Sequence, residues 1–148
     1  MSGRRVSFAA AAGLAAAMGV GRFVFTPLLP IMVDAAEVTP SSGAVIATAN
    51  YAGYLVGAIA LSVRPSINTT ISFRLWTVVL VASELAMAAA HSTITFSALR
   101  FVAGLASAAI FIACASTVTE HRAAGASPGI AFGGVGAGIA ASGILTLV

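Results

Sequence analysis

The chain has 148 residues, of which 59% are hydrophobic and 7% charged, and its formal net charge is +3. Soluble globular domains carry about a quarter charged residues, so this composition excludes an ordinary soluble domain and indicates an integral membrane protein. The seven basic residues are all arginine and are neither clustered nor interleaved with aromatic residues, which excludes a nucleic-acid partner. Because the apolar runs do not alternate in polarity, we predict an all-α fold of about five membrane helices.

The first predicted helix covers 6–33 and contains a single charge, Arg22, within the segment GVGRFVFTPLLP (19–30). An arginine at the centre of a membrane helix costs about 2.5–3.5 kcal/mol on insertion scales. Since Arg22 is too deep to reach the membrane surface, it must face protein or a water-filled cavity. Two interpretations remain: a functional site, or a structural arginine bonded to helix carbonyls. Pro27 and Pro30 predict a kinked or frayed outer end.

The N-terminal Arg4-Arg5 pair and the Ala-rich run after it resemble a secretory or twin-arginine signal peptide. The apolar run is too long for such a peptide, and further spans follow it. We therefore keep this segment as the first span.

The second predicted helix covers 43–63 and follows a polar link that contains Asp34 and Glu37. Asn50 and Tyr54 share one face of it by helical spacing, and Gly53 and Gly57 form a GxxxG pair that favours close helix packing. Tyr54 and its neighbour Tyr51 are either interfacial residues or cavity residues, and the sequence leaves both interpretations open.

The third and fourth predicted helices, 75–91 and 95–118, each carry one charge. Glu84 is the acid that falls inside the helices, where it serves either as a proton carrier or as the partner of an arginine. Arg100 lies one turn inside the fourth helix and is followed by Gly104, and it either faces the interior or snorkels to the interface.

The fifth predicted helix, 129–148, is dense in glycine. Small residues spaced one turn apart favour close contact between membrane helices. We predict that it packs against a neighbour through Gly129, Gly133, Gly134 and Gly138.

The loop charges predict the orientation of the chain. With five spans, Arg4, Arg5, Arg64, Arg74 and Arg122 fall on the side of the N-terminus. The opposite loops hold no arginine and carry two acids. We therefore expect a multi-pass protein of the cell membrane with the N-terminus in the cytoplasm and the C-terminus outside.

No catalytic constellation is recognisable in the sequence. His91 and His121 fall on opposite sides of the membrane, so they do not form a metal pair. No serine has both a histidine and an acid at one depth, and the GVGAG run (134–138) lacks the spacing of a dinucleotide-binding loop. We expect no enzyme activity, no metal and no cofactor.

Four stretches resemble the N-terminal part of a major facilitator superfamily (MFS) transporter, and more narrowly its YbfB/YjiJ-like branch. They are GVGRFVFTPLLP (19–30), NYAGYLVG (50–57), LRFVAGLAS (99–107) and FGGVGAGIAASG (132–143). The resemblance implies that the first and fourth helices line a central cavity and that the fifth lies near a domain interface. It places Arg22 and Arg100 on cavity helices and makes the Arg100-x-x-x-Gly104 spacing the superfamily's fourth-helix motif.

The chain departs from the family pattern in three places. The loop 64–74 has arginines but lacks the usual Gly and Asp, and Pro128 precedes the fifth helix instead of lying inside it, which weakens a claim of antiport. The family has twelve helices, so we expect the sixth helix and the C-terminal half to be missing here.

The function that these residues predict is secondary transport of a small solute, with an organic anion bound by Arg22, Arg100, Asn50 and Tyr54 near the midplane. The partners expected are the lipid bilayer, the solute, and a second transporter half or further copies of the chain. The alternative is a small non-transporting membrane protein that associates through its glycine-rich helices.

Overall fold

A computed structural model describes residues 2–35, 37–63 and 70–146, and it is helical throughout its regular elements. The helices are α1 (Gly3–Leu14), α2 (Phe25–Asp34), α3 (Pro40–Val63), α4 (Thr70–Met87), α5 (Thr93–Glu120) and α6 (Pro128–Leu145). The predicted all-α membrane fold is confirmed. Arg64, which contributed to the predicted charge asymmetry, and Val148, the predicted end of the fifth helix, lie outside the described residues.

The first traverse of the bundle is a single stretch of chain whose α-helix is interrupted. A π-helical segment, Ala15–Val20, and a short turn join α1 to α2, and Pro30 lies inside α2. The break therefore precedes both prolines, although the sequence predicted the distortion beyond Arg22. We call the whole stretch Gly3–Asp34 the first span.

Close contacts fix the direction of each helix relative to its neighbours. Gly53 of α3 lies against Phe101 of α5, and Gly57 lies against Leu105 and Ala108, so these two helices run in the same direction. The first span and α6 are also parallel, because Gly134 of α6 lies against Ala11 and Gly138 against Ala15.

The helix α5 runs antiparallel to the first span. Ser107 bonds to Ala17, whereas Arg100, seven residues earlier in the chain, bonds to Gly21 and Arg22. Cys114, further along α5, is buried and lies beside Gly13.

The helix α4 lies between α3 and α5 in the sequence and runs in the opposite direction to both. Its Phe73 lies near Gly13 and its Leu80 near Gly21, so it runs in the direction of the first span. By length and composition, four stretches of the described chain can cross a membrane: Gly3–Asp34, Pro40–Val63, Thr93–Glu120 and Pro128–Leu145. With α4 between two of them in the sequence, the described part of the chain traverses the bundle five times.

The third predicted helix is displaced toward the N-terminus. It ends at Met87 instead of residue 91, because Ala88 and Ala89 donate to carbonyls three residues back and close the last turn. His91 lies outside the helix, so it does not extend the face that carries Glu84. Ser92 then starts α5 by accepting a hydrogen bond from the Thr95 amide at 3.1 Å.

The glycines that the sequence singled out for packing divide into two groups. A Cβ at Gly53, Gly104 or Gly134 would collide with the carbonyl oxygen of a neighbouring helix, and at Gly138 it would lie 2.5 Å from the Ala15 oxygen. Gly129 and Gly133 lie on another face of α6. Gly133 has no neighbouring atom within 4 Å in the described part of the chain, and Gly129 has only the nearby Ser127 hydroxyl. The packing predicted for these two glycines is not found among the described residues.

We predict that Gly104→Ala lowers the melting temperature in detergent, because the new methyl group meets the Asn50 carbonyl oxygen and the parallel helices must separate. Overpacking of this kind costs about 1–3 kcal/mol. The control is Gly133→Ala, for which the site is open and helix propensity improves by up to about 1 kcal/mol. Equal melting temperatures for the two variants would show that α3 and α5 do not pack this closely.

Candidate functional site

The site is built around the break in the first span. There the backbone amides bond five residues back instead of four: Gly21 donates to Ala16 at 2.9 Å and Phe23 to Met18 at 3.2 Å. Beyond it, Thr26 donates only three residues back, to Phe23 at 3.1 Å. Glycine has low helix propensity and Pro27 has no amide hydrogen, so the sequence of this segment weakens the regular ladder at this point. Carbonyl oxygens of the break are thereby free to face other helices.

Side chains of α5 and α6 donate hydrogen bonds to four carbonyl oxygens of this segment. Ser107 donates to the Ala17 oxygen at 3.0 Å. The single hydroxyl hydrogen of Ser142 is shared between the Gly19 oxygen at 3.2 Å and the Gly138 oxygen of its own helix at 2.9 Å. Arg100 donates to the oxygens of both Gly21 and Arg22, at 2.9 Å and 2.7 Å. Because lipid offers no hydrogen-bond donors, these side chains are what allows an irregular backbone at this depth.

Arg100 is the most extensively bonded side chain of the site. It is 2% exposed, its guanidinium forms an ion pair with Glu84 at 3.2 Å, and its charge lies 5.2 Å from the centre of the Phe25 ring. The snorkelling interpretation of Arg100 is therefore wrong. The bonding to helix carbonyls that the sequence suggested for Arg22 is found instead at Arg100.

Asn50 connects α3 to the same cluster. Its side-chain amide donates to the Arg100 carbonyl oxygen at 2.9 Å, and it is 1% exposed. The other amide atom, Oδ1, is buried and has no hydrogen-bond partner in the described residues. Asn50 therefore ties α3 to α5 beside the Gly104 contact.

Glu84 is the acid of the interior, and it forms the ion pair that the sequence offered as one of two roles. Its side chain is 21% exposed and lines two cavities. One, of about 290 Å³, lies between α4 and the break and is lined mainly by apolar residues. The other, of about 250 Å³, also includes Glu37. The role of proton carrier stays a prediction.

Arg22 has a different environment from Arg100. Its guanidinium carbon lies 4.1 Å from the centre of the Tyr54 ring, 5.2 Å from that of Tyr51 and 5.6 Å from that of Phe23. Among the described residues, no carboxylate lies within ion-pair distance of it, and its buried Nε, like that of Arg100, has no hydrogen-bond partner. The structure thus brings Tyr54 beneath a cation, and its role as a cavity residue stays a prediction.

The residues that the sequence singled out for solute binding lie together. Arg22, Arg100, Asn50 and Tyr54 form one connected cluster with Glu84, through the contacts given above. Sequence reasoning missed the part played by Ser107, Ser142 and the carbonyls of the break. The available signal was that both serines fall within small-residue stretches of membrane helices, where a hydroxyl needs an acceptor.

Comparison with known proteins gives one match. The family model described as "Uncharacterised MFS-type transporter YbfB" matches residues 14–148. No curated protein and no solved structure matches the chain. The family match covers the break, the ion pair and the small-residue contacts, and it confirms the resemblance noted in the sequence.

We predict that Glu84→Gln lowers the melting temperature in detergent more than Glu84→Asp does, because Gln leaves the buried Arg100 charge without a counter-ion. Removing one partner of a buried pair costs about 3–5 kcal/mol, and the partial exposure of Glu84 places the expected loss below that range. The matched control is Glu37→Gln, an exposed acid in the same cavity. Equal melting temperatures for the Gln and Asp variants would mean that the pair contributes nothing to folding.

Proposed function

Because this chain belongs to the YbfB family of MFS-type transporters, we propose that it acts as a secondary transporter, or as one part of one, that moves a small organic anion by alternating access. The solute binds at Arg22 and the residues around it. Transporters commonly place their sites near the midplane at discontinuous helices, and Arg22 follows the π-helical segment of a broken span.

The Arg22 charge, which has no counter-ion among the described residues, is the observation that carries this proposal. Three aromatic rings lie against it, and cation–π contacts of roughly 0.5–2 kcal/mol each offset much of the roughly 2.5–3.5 kcal/mol that an arginine costs at the centre of a membrane helix. None of these rings carries a negative charge. Tyr54 therefore does not replace a counter-ion. Since Glu84 is already bonded to Arg100, an anionic solute is the partner that best balances Arg22.

The two arginines have separate roles in this proposal. Arg100 and Asn50 are almost fully buried and bonded within the protein, so we assign them to holding the site in place. Arg22 and Tyr54 are partly exposed, and Tyr51 beside them is 49% exposed, so a solute has access to this side. A planar guanidinium suits the two oxygens of a carboxylate.

A second helical bundle would complete the transporter. The outward face of α6 carries Gly129, Gly133 and Gly136, and it offers close approach to another helix. We propose that this face meets the second half of the transporter. The same face would also serve the alternative, a non-transporting membrane protein that associates with copies of itself. Loss of anion binding on substitution of Arg22 is expected for the transporter and not for this alternative.

The orientation of the chain stays a prediction, and the described charges support it. Gly3 packs against residues 124–126, so Arg4, Arg5 and Arg122 lie at one end of the bundle. Asp34 follows the traverse of the first span and lies at the other end. This segregation favours a cytoplasmic N-terminus.

We expect the chain in lipid nanodiscs to bind a carboxylate probe such as benzoate through Arg22, as measured by equilibrium dialysis. Arg22→Leu should abolish binding while leaving membrane insertion intact, and Arg22→Lys should weaken it by about tenfold, because an ammonium lacks the bidentate fork. Arg5→Leu, the same change of net charge at an exposed site, is the control. Binding that survives in Arg22→Leu would make Arg22 a structural residue.

We predict that a reporter active only in the periplasm is active when fused after Val148 and silent when fused after Arg122, because α6 crosses the membrane between these points. Reporter activity in bacterial colonies is the measurement, and immunoblotting confirms equal amounts of the two fusions. The reverse pattern would overturn the predicted orientation.

A further inference from the structure

Aromatic rings continue away from the Arg22 guanidinium along one side of the bundle. Tyr54 of α3 lies beneath Arg22, and its ring meets that of Phe111 of α5 edge-on, with centroids 6.4 Å apart. Phe111 in turn meets Phe132 of α6, with centroids 5.8 Å apart and planes at 43°. We call Tyr54, Phe111 and Phe132 the aromatic row. It starts at a cation and extends over three different helices.

The aromatic row lies on the side of the bundle where α3, α5 and α6 meet, and α4 takes no part in it. Phe73 of α4 lies near Gly13, on the side of the first span that faces α4. Phe111 is half-buried and Phe132 is 41% exposed, so part of the row is accessible. The surface therefore combines a single cation with a continuous aromatic lining.

This arrangement complements a ligand with a charge at one end and a flat apolar body. A small anion such as acetate would contact Arg22 and leave Phe111 and Phe132 unused. A ligand with an aromatic body would place further rings against the aromatic row in offset or edge-on contact, and each such contact adds to area burial. Aliphatic bodies gain less, because they lack the ring quadrupole and are already well solvated by lipid tails.

We propose that the solute is an aromatic carboxylate, whose carboxylate binds Arg22 and whose ring binds along Tyr54, Phe111 and Phe132. This inference rests on the proposed function, which requires only an organic anion. The anion is then of the aromatic class, and Phe111 and Phe132 form part of the surface that binds its ring.

The test is equilibrium dialysis of labelled 2-naphthoate against the whole chain in nanodiscs, with unlabelled competitors of equal charge. Benzoate and cyclohexanecarboxylate have similar size and differ in aromaticity, and acetate lacks a body. We expect affinity to fall in the order 2-naphthoate, benzoate, cyclohexanecarboxylate, acetate, with each lost ring contact costing roughly two- to tenfold.

Variants then locate the ring-binding surface. Phe132→Leu keeps an apolar side chain and should lower the affinity for 2-naphthoate by roughly two- to tenfold, with little change for acetate. Phe8→Leu, at an exposed phenylalanine of α1 outside the aromatic row, is the matched control and should change neither. The ratio of the two affinities is unaffected by partial unfolding, so a merely structural role of Phe132 would not change it.

The outcomes separate this inference from the proposed function. The aromatic class would be overturned if benzoate and cyclohexanecarboxylate competed equally, or if Phe132→Leu left the affinity ratio unchanged. Arg22-dependent binding of acetate would still support the proposed function in that case. If none of the four carboxylates bound in an Arg22-dependent way, both would be overturned.

Discussion

The fold depends on the way in which Arg100 compensates for the broken backbone of the first span. Its guanidinium bonds the carbonyl oxygens of Gly21 and Arg22 and pairs with Glu84, so one side chain joins three membrane traverses. An irregular backbone in the bilayer is stable only where other protein groups satisfy it. Ser107 and Ser142 extend the same compensation toward Ala17 and Gly19. The break is thus a property of the assembled bundle.

Arg22 and Arg100, each followed by Phe-Val in the sequence, have different environments in this arrangement. Arg100 donates hydrogen bonds to backbone carbonyl oxygens and to Glu84, and its side chain is almost fully buried. The carbonyl oxygen of Arg22 accepts a hydrogen bond from Arg100, while the guanidinium of Arg22 contacts tyrosine rings. Arg22 is partly exposed and has no counter-ion among the described residues, which is why we propose it as the position of an anionic ligand. In that proposal, Arg100 holds the backbone of Arg22 in place.

Small residues bring the bundle to this geometry. The parallel pairs, α3 with α5 and the first span with α6, approach so closely that glycines meet carbonyl oxygens across the contact. In lipid, where hydrophobic burial drives little association, such contacts supply packing energy. The polar cluster lies where the two pairs meet, and Glu84 borders a cavity on either side of it.

The sequence by itself determined the membrane class, the helices and the residues that carry charge, because composition and uninterrupted apolar runs act locally. It also identified Arg22, Arg100, Asn50, Tyr54 and Glu84 as unusual, since polar groups inside apolar helices need partners. The tertiary structure decided which partner each obtained. Glu84 pairs with Arg100, and Arg100, not Arg22, bonds the helix carbonyls. Both outcomes depend on the antiparallel register of α5 against the first span. The aromatic row and the difference between Gly133 and Gly134 depend on helix rotation, which is set by contacts between residues far apart in the chain.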